Sequence, residues 1–154
     1  MKKRYFILLL SLLCPIGVCC QMVNNVCDEF GVIYMPVNDS TIIYNTKKGK
    51  KYEVKLNKVY YVDGEDNLKK YLKERYSLFD NSDDYAYRVF FFMLFDSNLK
   101  IKEIRGVVLP LSHYTKTNKK RIKQYMKGLK RTKNRWLKKS NQNWFVYSFS
   151  FVTD

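Results

Sequence analysis

The stretch from Tyr85 to Phe95 leaves this chain few ways to fold. Read as a strand, it is apolar on both faces through its middle. Val89, Phe91, Met93 and Phe95 fall on one face, and Phe90, Phe92 and Leu94 on the other. A strand buried on both faces is central to its sheet, so a separate layer has to cover each side. Asp96-Ser97-Asn98 reads as a tight turn, with Asn98 in the left-handed conformation. Leu99 to Val108 then returns as the second strand of a hairpin.

Candidate covering layers lie on either side of the hairpin. A helix is predicted from near Glu65, capped by Asp63, with Leu68, Tyr71, Leu72 and Tyr76 in one apolar stripe. A second is predicted over roughly Asn118 to Lys133, where Ile122, Tyr125, Met126 and Leu129 share a face and Gln124, Thr117 and Gly128 lie further round. Trp144 to Val152 alternates cleanly, with Phe145, Tyr147, Phe149 and Phe151 on one side and Ser148 and Ser150 on the other. The acidic cluster Asp80-Asn81-Ser82-Asp83-Asp84 lacks the glycine and late bidentate acid of a calcium loop, so it is read as a solvated turn. The expected architecture is α+β, a small three-stranded antiparallel sheet with two helices on one face, in the order helix-strand-strand-helix-strand. The face of Tyr85 to Phe95 opposite the helices is expected to be covered by residues 22–62 or by a second copy of the chain, which makes a homodimer one possible assembly. Those residues carry short β-like runs at Val32-Ile33-Tyr34, Thr41-Ile42-Ile43-Tyr44 and Val59-Tyr60-Tyr61-Val62.

Several motifs resemble the C-terminal domain of the TonB family. Gly64-Glu65-Asp66-Asn67-Leu68-Lys69-Lys70-Tyr71-Leu72 is similar to the stretch that opens that domain, and Asp96 through Lys100-Ile101-Lys102-Glu103-Ile104 to its hairpin turn. Trp136, Asn141-Gln142-Asn143 and Trp144 to Val152 match its tryptophan, polar turn and last strand. The resemblance spans about residues 59–154. Leu99 stands where the family has a turn glycine, Lys138 where it has a proline, and the family's Tyr-Pro pair is missing. The resemblance implies a sheet whose central strand is the first of the hairpin and whose edge is the last strand. It also implies β-augmentation, in which an extended peptide from an outer-membrane transporter adds beside that edge. On this chain the peptide would lie along Asn141, Gln142, Asn143, Trp144, Val146, Ser148 and Ser150.

The first twenty residues read as a secretory signal. Lys2, Lys3 and Arg4 precede an apolar run from Tyr5 to Leu13, broken by Pro15 and Gly17, with Val18 and Cys20 placed for cleavage before Gln21. The run is shorter than a membrane span. Lipidation at Cys19 or Cys20 and retention as an inner-membrane anchor are the competing readings. The expected organisation is a signal peptide over 1–20, a lead-in with short strands over 21–58 and the TonB-like domain over 59–154. Past the signal only Cys27 remains, so no internal disulfide framework is expected. Of the formal charge of +15, the signal supplies three, leaving about +12, which favours anionic partners. In the periplasm or another exported location these would be lipid phosphate, polysaccharide or acidic protein, with nucleic acid not expected.

Between Lys116 and Lys139 there are twelve Lys or Arg residues and no acid. On a helix, Lys116, Lys119, Lys120, Lys123, Lys127, Lys130 and Arg131 fall within an arc of about 120°. This one-signed flank is a candidate anion-binding surface, since a solvated face ordinarily mixes signs. Catalytic chemistry is not expected: His113 is the only histidine and has no acidic neighbour, no glycine-rich phosphate loop occurs, and no cofactor or metal is implied. The leading expectation is a non-catalytic envelope module that binds an extended peptide or a neighbouring protein. The alternatives are a membrane-anchored TonB-type energy transducer and a basic anion-binding module. A transducer needs a long linker, and the roughly forty residues ahead of the domain reach at most about 140 Å.

Overall fold

A computed structural model describes residues 26–28, 31–38, 40–56, 58–76, 87–109 and 115–152. The signal segment, the Asp80–Asp84 turn, His113 and the Tyr85 end of the expected strand lie outside the described residues. Among the described residues the fold is α+β, with two helices and three small antiparallel sheets.

The hairpin is built from β6 (Arg88–Asp96) and β7 (Ile101–Leu109), and β9 (Trp144–Val152) pairs along the other side of β6. Strand order is β7-β6-β9, so the doubly apolar strand is central. Its two faces feed two separate cores. Val89, Phe91, Met93 and Phe95 pack with Leu68 and Leu72 of α1 (Glu65–Arg75) and Ile122, Tyr125 and Leu129 of α2 (Lys116–Arg131). Phe92 and Leu94 pack on the other side with Ile33, Ile42, Tyr44 and Val54.

Those last four residues belong to the lead-in. It forms a four-stranded meander of β1 (Val26–Asp28), β2 (Gly31–Asn38), β3 (Thr41–Asn45) and β4 (Lys51–Lys55) in sequential order. Of the two covers expected for this face, the lead-in is the one that occupies it. Polar groups of β7 fix the contact. Arg105, 1% exposed, donates to the carbonyls of Asn45 (2.7 Å) and Gly31 (3.3 Å). The Glu103 carboxylate accepts from the Tyr44 hydroxyl (3.2 Å) and the Lys47 N–H (3.1 Å).

The third sheet is a ribbon in which β5 (Val59–Tyr61) pairs with β8 (Trp136–Lys138). The expected order had no strand between the second helix and the last strand. The ribbon closes the end of the helix-side core. The Trp136 ring meets those of Tyr61, Phe95 and Tyr147 at 5.4, 5.0 and 4.9 Å, and its indole N–H donates to Thr132.

Three local expectations need correction. The residue capping α1 is Gly64 at φ 84, with no side-chain bond to the helix; Asp63 is turned to Arg135 instead. In the hairpin turn the left-handed residue is Leu99, at φ 59, not Asn98. The Asp96 carboxylate accepts the N–H groups of Asn98 and Lys100 (both 2.9 Å), which places the sharp reversal one residue later. Gly128, expected further round than the basic flank, is buried at the helix crossing. A Cβ there would lie 2.4 Å from the Tyr76 ring and 2.9 Å from Leu72.

Candidate functional site

The sequence singled out the last strand and the turn before it. Among the described residues β9 pairs with β6 alone, so alternate residues turn their backbone N–H and C=O groups away from the sheet. Its inner-face side chains Phe145, Phe149 and Phe151 are buried in the helix-side core, which fixes the strand's register against β6. On the opposite face Ser148 is exposed and Ser150 half-buried.

The Trp144 end is shaped by the lead-in. Strand β4, the edge of its own sheet, comes beside β9 there, and the Tyr52 and Trp144 rings lie 4.2 Å apart. A cleft of about 490 Å³ between them is lined by Thr41, Glu53 and Lys55 on one wall and by Asn141, Gln142 and Asn143 on the other. The polar turn thus borders a cleft at the head of the edge strand. Val146 departs from the expected peptide-facing set. It is 1% exposed and packed in the second core, so only its backbone could face a ligand. Trp144, half-buried against Tyr52, is likewise partly committed to packing.

The basic flank lies on α2. Thr115 caps the helix by accepting the Asn118 N–H at 3.2 Å, two residues ahead of the expected start. Asn118 is buried and accepts a hydrogen bond from Tyr87. Burial of Ile122, Tyr125 and Leu129 against the sheet rolls Lys116, Lys120, Lys123, Lys127, Lys130 and Arg131 outward, with Lys119 half-buried. Among the described residues the four ion pairs recorded join α1, the hairpin and the ribbon, and none involves this outward set. Among the described residues no carboxylate therefore pairs with this outward set.

The buried hydroxyls belong to the scaffold. Burial pushes the Tyr125 phenol up to about 12 against the pull of Arg121, and it raises Tyr61 also. Tyr147 is raised most strongly, first by burial and then by Glu65, whose carboxylate accepts its hydroxyl at 3.1 Å. For Asp96, burial opposes ionisation, but bonds from Lys102 and from the backbone N–H groups of Lys100 and Asn98 prevail and hold the carboxyl below its usual range. Among the described residues no three His, Cys, Asp or Glu side chains cluster as a metal site would require. No helix among them is long and apolar enough to cross a membrane.

Sequence reasoning missed Glu103 and Arg105, which tie the lead-in to the sheet. An Arg and a Glu two apart on a strand gave no sign that their face was buried. It also missed that Lys130 stands apart from its flank, at a cleft shared with the hairpin turn. Comparison of the chain with protein-family models, with curated proteins and with solved structures found no match.

Proposed function

We propose that this chain is a non-catalytic exported module of the TonB C-terminal type, which captures an extended segment of an envelope protein along the outer edge of β9. The observation that carries the reading is a nine-residue strand that, among the described residues, is hydrogen-bonded on one side only, opening at Trp144 onto a cleft bordered by Asn141, Gln142 and Asn143. An added strand would satisfy the outward backbone groups of β9, and main-chain pairing needs little side-chain identity. The position of β6 between β7 and β9 supports the TonB-like reading, as does the placement of both helices on one face. The meander β1–β4 and the β5–β8 ribbon are additions to it. The outward lysines Lys116, Lys120, Lys123, Lys127 and Lys130 of α2, which make no ion pair among the described residues, favour a second role, attraction to anionic lipid or polysaccharide.

Selection of peptides from a random display library tests the edge directly. Peptides that bind should slow hydrogen exchange at alternate amides of Trp144–Val152. Selected peptides that protect none of these amides would remove β9 as the site. The intact N-terminus and the cell fraction test the setting. A soluble periplasmic species beginning at Gln21 fits a diffusible module, whereas an uncut species in the inner membrane would favour an energy transducer.

A further inference from the structure

The turn of the β6–β7 hairpin and the last turn of α2 enclose a cleft of about 660 Å³ whose charged side chains are all lysines. Lys100 and Lys102 come from the hairpin, Lys130 and Lys133 from the helix end, and Asn98 and Asn134 add one amide from each wall. Two other clefts carry both signs, with Asp66 and Glu74 among the lysines of α1, and Glu53 opposite Lys55 beside β9. We propose that this cleft is a binding site for a phosphate-bearing ligand, a phosphomonoester or diphosphate on a small organic group.

The four lysines are not equivalent. Lys102 is paired with Asp96 Oδ2 at 2.9 Å, and Oδ1 of that carboxylate accepts the Asn98 and Lys100 N–H groups. The one acid near the cleft is therefore already satisfied. Lys100, Lys130 and Lys133 make no ion pair among the described residues, so three cationic groups line the cleft with no described carboxylate paired to them, and Lys130 and Lys133 face only the partial charge at the carbonyl end of α2. Both walls are fixed before any ligand arrives. The hairpin turn is closed by the Leu99 N–H to the Asp96 carbonyl (3.0 Å), and it holds Leu99 at φ 59. The helix end is closed by the Thr132 N–H to Leu129 (3.1 Å) and the Arg135 N–H to Thr132 (2.9 Å). A strained, non-glycine residue at the lip of a cleft is where backbone strain and function tend to coincide.

The chemistry of the lining selects the anion. A planar carboxylate is best recognised by the fork of an arginine, and the cleft contains none. Compact ammonium charges joined by neutral amide donors suit the tetrahedral, more highly charged phosphate. Half-buried Leu99 and Ile101 add apolar surface, against which the organic part of the ligand would rest.

The test is titration of the full chain, as recovered from cells, with inorganic pyrophosphate, followed by backbone NMR. Phosphatidylcholine vesicles with and without phosphatidic acid form a parallel arm. Saturable shifts should centre on Asn98–Lys102 and Lys130–Asn134. Lys100→Gln with Lys130→Gln and Lys133→Gln should weaken binding about tenfold or more, because charge-assisted bonds are lost. The same charge removed by Lys69→Gln, Lys70→Gln and Lys73→Gln on α1 should change it less than about twofold, since those lysines lie outside both the cleft and the α2 flank. If the triple variant loses its circular dichroism, the single change Lys133→Gln is read instead. Binding of pyrophosphate supports a soluble phosphorylated ligand, and binding confined to phosphatidic acid vesicles supports a lipid headgroup. Binding of neither, or equal loss from the two triple variants, overturns the proposal.

Discussion

On one side of β6, Phe91 lies among rings and helix side chains; on the other, Phe92 meets a second sheet. The Phe91 ring stacks near those of Tyr125 and Phe149 at 5.8 and 5.5 Å and meets Phe151 edge-on at 6.1 Å. Phe92 has Tyr34 at 6.0 Å and Phe90 at 6.5 Å. The helix face is held by apolar packing, with glycines where elements approach most closely. The sheet face has fewer apolar side chains, and its position is fixed by directed bonds from Arg105 and to Glu103. Apolar packing is non-directional, whereas hydrogen bonds to particular carbonyls specify a register. The lead-in therefore acts as a placed cover, and its placement puts Tyr52 and Glu53 beside the edge of β9.

The contrast predicts a graded series of effects. The largest is Phe91→Ala, which should cost about 4 kcal/mol, within the range for buried aromatics, and lower the stability of the whole molecule. Phe92→Ala should cost about 3 kcal/mol, with β1–β4 loosening first. Urea unfolding gives the totals and amide exchange gives the distribution. Equal loosening of both faces by both variants would erase the distinction. Gly128→Ala comes next. Its gain in helix propensity is about 1 kcal/mol, but the new methyl would overlap Tyr76 and Leu72 at a cost of about 1–3 kcal/mol, so a net loss is expected where an exposed helical glycine would give a gain.

Much of the helix face was legible in the sequence, and much of the sheet face was not. Alternation through Val89–Phe95 and the spacing of Ile122, Tyr125 and Leu129 identify their partners because each element carries one uninterrupted apolar pattern. Strand β4, Lys51-Tyr52-Glu53-Val54-Lys55, has one buried residue among charged neighbours, and β8 is too short to show a period. Both are strands because of what they pair with, which is tertiary information. The candidate edge was visible as an alternating last strand, but the packing of Val146 and Trp144 against the lead-in was hidden for the same reason. The cleft at the hairpin turn could not be read at all, since it joins Lys100 to Lys133 across two elements.

Arg105→Met sharpens the comparison from the other side. The variant removes a buried charge, which is favourable, but orphans the Asn45 and Gly31 carbonyls; the balance should be a loss of about 1–3 kcal/mol. That loss should appear as faster exchange across β1–β4 with β6, α1 and α2 little changed. Alkali probes the helix face instead. The folded-state pKa values of Tyr61, Tyr125 and Tyr147 are raised by burial, so their contribution is complete below the unfolded value near 10 and is lost as pH rises through the folded values. Absorbance of tyrosinate followed upward from pH 10 should show these phenols ionising late, together with loss of helix. Early ionisation of all tyrosines with the fold intact would contradict their burial.

The smallest effect concerns Leu99, which packs partly on the helix-side core while its backbone sits at φ 59. For an L-residue that conformation costs about 1–2 kcal/mol. Leu99→Ala keeps the strain and loses the packing, so it should destabilise by about 1 kcal/mol. Leu99→Gly loses the same packing but releases the strain, and the greater flexibility of glycine in the unfolded chain costs about 0.5–1 kcal/mol of that gain. The two changes in the glycine variant should nearly cancel. Glycine should then be the better tolerated of the two by several tenths of a kcal/mol or more, the reverse of the order in an ordinary strand or helix. Thermal unfolding of the two variants side by side decides it. An alanine variant as stable as the glycine one would mean that the turn relaxes and that the lip of the lysine cleft is not held by the backbone.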